Sequence, residues 1–280
     1  MFVNVNGIKI WCDSEGEGIP MILPSYSGVP YLQRAIPTTL RKFFKMIFIE
    51  PRGGGRSDSG EEITLENIVN DIDEVRKVFN IEKAFLFGWS ANAYITLEYA
   101  SKYPDNVLGL ILISMPPKYN DEMIRKQDQY WEEFADENRK AVLEENHKNL
   151  KEAGTKGAAI NDKIINEYVA NGSKYFFDPK FDSSDLWRDQ QFNYKNMQFF
   201  YGDLLLNYDA VSKLNEINTP IVSFNGKYDF IVPHENAMEF LRSKENAEVN
   251  VFEESGHYPF MEEEDKFIKI LMPWINKNNS

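Results

Sequence analysis

Residues 85–100 read FLFGWSANAYITLEYA. A short apolar run passes, within one residue, into a pattern that suits a helix. At the joint stands a lone serine, Ser90, with Gly88 two positions before it. Two explanations compete for a small polar residue there. Ser90 is an N-cap for the helix that follows, a common task for serine, or it is a nucleophile raised on a sharp strand-to-helix turn. The surrounding sequence has to separate them.

Outward from this stretch the first half of the chain alternates strand-like and helix-like segments. FVNV and IKIWC read as a hairpin around Asn6-Gly7. MILP (21–24), MIFIEP (46–51), AFLFG (84–88) and VLGLILIS (107–114) are brief runs of Ile, Leu, Val and Phe, as expected of strands covered on both faces. LENIVNDIDEVRKVFN (65–80) places Ile68, Ile72, Val75 and Phe79 at helical spacing, and the segment after Ser90 offers Ile95, Leu97 and Tyr99. Such alternation predicts an α/β fold, with a mostly parallel central sheet and helices on both faces.

The texture changes after Ser114. Met115-Pro116-Pro117 breaks the alternation, and charged helical sequence follows, then an aromatic-dense stretch from Tyr175 to Tyr208. Strand signal returns at TPIVSFNG (219–226), with a helix in PHENAMEFLRS, a strand in AEVNVFEES and a last helix ending near Ile275. The expected organisation is a core of residues 1–115 and 219–280, interrupted by a helical cap at 116–218.

Composition narrows the partners. Of 280 residues, 31 are Lys or Arg and 44 are Asp or Glu, a formal net charge of −13. That balance argues against nucleic acid and anionic membrane, which reward clustered positive charge. Cys12 is the lone cysteine, so no intramolecular disulfide can form. The first residues lack the pattern of a signal peptide, and the longest apolar run is too short to span a bilayer. A cytoplasmic, soluble protein is the expectation.

Ser90 sits in Gly88-Trp89-Ser90-Ala91-Asn92, close to the nucleophile pattern G-x-S-x-G, with Asn92 replacing the last glycine. A serine hydroxyl needs a base, and the base needs an acid to hold it. There are three histidines. His147 lies in a charged helical run and reads as surface; His234 follows Pro233 at a helix start and reads as structural. His257, in Glu254-Ser255-Gly256-His257-Tyr258-Pro259, stands between the last strand and the last helix, at the sheet edge where such folds build sites. It is the expected base. Asp229, shortly after the strand PIVSFNG, is the expected acid, with Asp121 a weaker substitute.

The order Ser90, Asp229, His257 on successive strand ends resembles the α/β-hydrolase fold family over nearly the whole chain, from about Phe2 to Trp274. EPRGGGRSD (50–58) is similar to the family's arginine-glycine turn, with Glu50 in place of aspartate, and reads here as a tight structural turn. GKYDFIVP and SGHYPFMEEEDKF resemble its acid and histidine loops. Within the family the chain looks most like the prolyl-aminopeptidase-like enzymes. The resemblance implies a backbone oxyanion hole from Ala91 and, in the loop Pro24-Ser25-Tyr26-Ser27-Gly28, from Tyr26. It implies no cofactor, and no histidine pair has metal-ligand spacing.

Three functions follow as alternatives: a carboxylesterase-like serine hydrolase of a small ester or amide, a prolyl-aminopeptidase-like peptidase, or a non-catalytic ligand-binding member of the fold. A peptidase of this kind calls for cap carboxylates, such as Glu132 and Glu133, aimed at the substrate amine.

Overall fold

The computed structural model describes residues 1–26, 28–154 and 159–279. Eight strands form one sheet among these residues, in the order β1-β2-β4-β3-β5-β6-β7-β8. Strands β1 (Phe2–Val5) and β2 (Ile8–Glu15) pair antiparallel through Asn6 and Gly7, both at positive φ, 51° and 88°. That is the geometry a two-residue hairpin turn demands, and Asn-Gly supplies it cheaply. Strand β2 also runs antiparallel to β4 (Phe44–Glu50). The others, β3 (Ile19–Pro24), β5 (Ala84–Trp89), β6 (Val107–Ile113), β7 (Ile221–Gly226) and β8 (Ala247–Phe252), pair parallel.

Alternation along each strand divides the apolar residues between two cores. Ile22, Ile47, Leu86, Leu110 and Ile221 face one, with helices α2 (Leu65–Val78) and α3 (Ala93–Lys102) packed on them. Leu23, Phe48, Phe87, Ile111 and Phe224 face the other, beneath α1 (Val29–Ala35) and the C-terminal helix. Every residue of β5 is buried, which explains its uninterrupted apolar sequence. Helix α2 starts where Thr64 Oγ1 accepts the Asn67 N–H at 3.2 Å and buries the expected Ile68, Ile72 and Val75. Helix α3 departs from a single stripe: Tyr94, Thr96 and Ala100 are buried as well as Ile95, Leu97 and Tyr99. It is flanked by α2 and by the helix over Ala210–Glu216, and its polar positions Glu98, Ser101 and Lys102 are the ones left partly or fully exposed.

Between β6 and β7 the described residues form helices joined by irregular stretches, and no strand. Helices α4 (Asp121–Phe134) and α5 (Glu137–Ala153) begin at Asn120 and Asp136, whose side chains cap Met123 and Arg139. There follow α6 (Ile160–Ala170), the single turn α7 (Gly172–Tyr175), and α8 (Tyr194–Phe199). A π-helical turn over Phe200–Leu204 leads from α8 into α9 (Leu205–Asn207), and α10 (Ala210–Glu216) returns the chain to the sheet. Arg139 is buried and pairs with no carboxylate among the described residues. Its guanidinium instead donates to the carbonyls of Ser173, Phe176 and Phe177, and lies over the rings of Tyr228 and Phe230. One side chain thereby fixes the α7 region against the loop that follows β7.

After β7 come α11 (His234–Glu239), α12 (Pro259–Glu262) and α13 (Glu264–Asn278). Helix α11 stops at Glu239, short of the expected Ser243, and the chain continues in turns. No helix among the described residues is long and apolar enough to cross a membrane.

Candidate active site

At the end of β5 the chain turns through Ser90 with φ 53°, and a 3-10 turn over Ser90–Asn92 leads into α3. A non-glycine residue held there costs about 1–2 kcal/mol, so the neighbourhood must impose it. Gly88 shows how tight that neighbourhood is. A Cβ on it would lie 2.5 Å from Thr96 Oγ1 and 2.7 Å from Ala93 Cα. No side-chain cap hydrogen bond is made at this helix start, so Ser90 is not spent as an N-cap.

Asp229 and His257 arrive from the loops after β7 and β8. Asp229 is fully buried; its Oδ1 accepts the N–H groups of Ile231 and Val232 at 2.9 and 2.8 Å. Its Oδ2 stands 2.7 Å from His257 Nδ1. Two backbone donors thus fix the carboxylate, and the carboxylate fixes the imidazole with Nε2 as the unengaged nitrogen. The ring is also flanked by Trp89 and Tyr175, at 5.4 and 5.6 Å between centroids. The backbone of the histidine loop is held from both sides: the His257 N–H donates to the Tyr175 carbonyl and its carbonyl accepts from Trp89 Nε1 at 3.0 Å.

Ser90 and His257 open onto one cavity of about 220 Å³. Its wall includes Trp89, Trp187, Phe200, Leu205, Ile231 and Val232, together with Tyr168, Tyr175, Tyr201 and Tyr258. Among the described residues no lysine, arginine, aspartate or glutamate lines it. Burial raises the phenols of Tyr175, Tyr201 and Tyr258 well above their ordinary value, so they stay neutral donors. Tyr168 and Tyr201 share a hydrogen bond between their hydroxyls, and Tyr258 shares another with Tyr31 beneath it.

The loop after β3 holds an unexpected contact. The Tyr26 N–H, expected as a free oxyanion donor, donates instead to Asn92 Oδ1 at 2.8 Å. Ser25 anchors the loop by its N–H to the Ile49 carbonyl and by Oγ to the Gly28 carbonyl, at 2.9 and 3.1 Å. Ser27 lies outside the described residues. The other expected donor, the Ala91 N–H, sits in the first turn before α3, where helix amides lack an internal partner.

The remaining candidates fall elsewhere. His147 is exposed beside Asn171, and His234 contacts the Tyr130 hydroxyl at 3.2 Å, with burial pulling its pKa down. Asp121 is exposed at the start of α4. Glu132 and Glu133 are exposed, Glu132 pairing with Lys140. The glycine-rich turn is structural, as expected: the buried Glu50 carboxylate accepts the Arg56 N–H at 2.7 Å, and Arg52 makes a bidentate pair with Asp71. Cys12 is buried, and its thiol is pushed up to about 12 by burial, which makes it a packing residue. Among the described residues no group of three or more His, Cys, Asp or Glu converges to hold a metal.

Sequence reading passed over Glu262 and Glu263. In an acidic run they resemble a solvated face, yet both turn inward. Glu262 accepts the N–H of Phe177 at 2.6 Å and of Gly256 at 2.7 Å; Glu263 accepts the Glu254 N–H and the Ser255 hydroxyl. Their position five and six residues after His257 was the available signal.

Fold and site geometry together are those of the alpha/beta hydrolase fold family, and the chain belongs to it, the family match spanning residues 18–264. It is 24% identical to the AB hydrolase superfamily protein YclE of Bacillus subtilis over 94% of each chain. It is 25% identical to a proline iminopeptidase of Thermoplasma volcanium, covering 99% of this chain and 96% of that one. Among solved structures, an esterase from Exiguobacterium antarcticum superposes with a TM-score of 0.68 over 98% of both chains, at 21% identity.

Proposed function

We propose that the chain is a serine hydrolase of small, neutral, largely apolar esters. The observation that carries this reading is the cavity. It joins Ser90 to a histidine held by a buried aspartate, and its described wall is aromatic and aliphatic without an ionic side chain.

In the proposed reaction His257 Nε2 takes the Ser90 proton as Oγ attacks the acyl carbon. Asp229 keeps Nδ1 protonated and stabilises the imidazolium. The oxyanion is held at the start of α3, where the Ala91 N–H and the helix N-terminus favour negative charge. The imidazolium returns its proton to the departing alkoxide, leaving an acyl-serine. Water, deprotonated by the same nitrogen, attacks that ester, and the acid leaves with Ser90 restored. The helices over residues 116–218 act as a cap that excludes bulk water and selects the substrate.

A second reading is favoured by one observation, the proline iminopeptidases among the relatives. Such a reaction must hold a substrate's charged amine. In this chain Glu132 and Glu133 face solvent rather than the cavity, which supports the ester.

The test is hydrolysis of p-nitrophenyl esters of increasing acyl length beside proline p-nitroanilide, with Ser90→Ala as control. Ester turnover that vanishes in the variant is expected. Anilide turnover exceeding ester turnover would favour the peptidase, and no turnover above the variant's background would favour a binding protein.

A further inference from the structure

Two departures from the family pattern stand at opposite ends of one hydrogen bond. Asn92 replaces the last glycine of the nucleophile motif, and Pro24-Ser25-Tyr26 replaces the loop that donates the second backbone N–H. In the fold the Tyr26 N–H meets Asn92 Oδ1 at 2.8 Å. An N–H can only donate, so the carboxamide atom facing it is the oxygen. Asn92 is buried, lies two residues beyond Ser90, and lines the same cavity.

We propose that Asn92 is a built-in occupant of the oxyanion hole: its carboxamide oxygen holds the Tyr26 N–H in the free protein and yields it as the tetrahedral oxyanion forms. This rests on the serine-hydrolase reading above. The exchange follows from acceptor strength. An ester carbonyl is a poorer acceptor than a carboxamide oxygen, so a bound ground-state ester leaves the Asn92 contact in place. An oxyanion makes a charge-assisted bond about twice as strong as a neutral one and displaces it. The Tyr26 N–H is thus delivered to the transition state and withheld from the substrate.

Asn92 is not the only support for the loop. Ser25 ties the backbone to β4 and to Gly28, and the Tyr26 ring packs 4.7 Å from Phe200. Asn92 itself has helical backbone angles, φ −62° and ψ −20°, which alanine adopts readily. Its removal therefore frees the donor and leaves the fold in place.

The experiment compares wild type with Asn92→Ala, using p-nitrophenyl esters and an alkyl fluorophosphonate that labels Ser90. Amide exchange at Tyr26, followed by NMR, is measured alongside. With one displaced hydrogen bond removed, kcat/KM is expected to rise roughly two- to tenfold, with KM falling. Tyr26 exchange should be slow in wild type and fast in the variant. A kcat/KM that is unchanged or lower in a folded variant, or equal Tyr26 exchange in both proteins, overturns the proposal. Wild type that labels at Ser90 while the variant shows no acceleration overturns this proposal alone. Wild type that neither labels nor cleaves any ester overturns the hydrolase reading with it.

Discussion

Asp229 shows how much of a site one buried carboxylate can set. It has three polar neighbours, two amides and one imidazole, and no contact with solvent. Replacing it with asparagine keeps the shape, and because the amides of Ile231 and Val232 claim the carboxamide oxygen, the N–H₂ group faces His257 Nδ1, so the imidazole is no longer held in the tautomer with a basic Nε2. Under the proposed reaction Asp229→Asn lowers kcat by about four orders of magnitude, with KM little changed. A variant that keeps more than a tenth of wild-type kcat on the best ester would remove Asp229 from the mechanism. Ser90, Asp229 and His257 were legible because each stands in a loop or turn at a strand end, beside residues whose spacing is local. The Asn92–Tyr26 contact was not, because it joins positions 66 apart and depends on how β3 lies beside β5.

At the level of elements, the histidine loop is fastened to the insertion through α12. Glu262 accepts one N–H from the loop, at Gly256, and one from the insertion, at Phe177. Burial dominates its titration and carries its pKa from 4.5 to about 7, against the pull of those backbone donors and with a smaller contribution from the nearby Asp229 charge. A carboxyl whose folded value is raised binds a proton more tightly folded than unfolded. Its contribution to stability is complete below pH 4.5 and fades as pH rises through about 7. Wild type is therefore expected to lose more stability between pH 5 and 7.5 than Glu262→Gln, which has no proton to lose. Urea midpoints for both proteins across that range check it; parallel pH curves would show that Glu262 is ionised throughout. The inward turn of Glu262 was hidden in sequence because an acidic run, EEED, has the composition of a wetted surface. Arg139 was hidden for the same reason, a buried cation inside a highly charged helix.

For the molecule as a whole, the mostly parallel sheet and the helical character of the segment between β6 and β7 were legible because strand and helix periodicities differ sharply on either side of Ser114. What that segment covers was not, since the cavity wall draws residues from stretches scattered along the chain from Trp89 to Tyr258. That wall gives the proposed chemistry a direction. A neutral ester enters, but the acid formed from it ionises at neutral pH, in a chamber whose described lining offers no cation and inside a chain of formal charge −13. The product anion meets desolvation within and repulsion without. Carboxylate products should accordingly inhibit only weakly at low salt and more strongly as added salt screens the repulsion. Inhibition constants for the acid of the best ester, measured against ionic strength, decide it, and the opposite salt trend would contradict it. Hydrolysis in such a chamber clears its own product: the same bond cleavage that ends the reaction creates the charge that expels the acid.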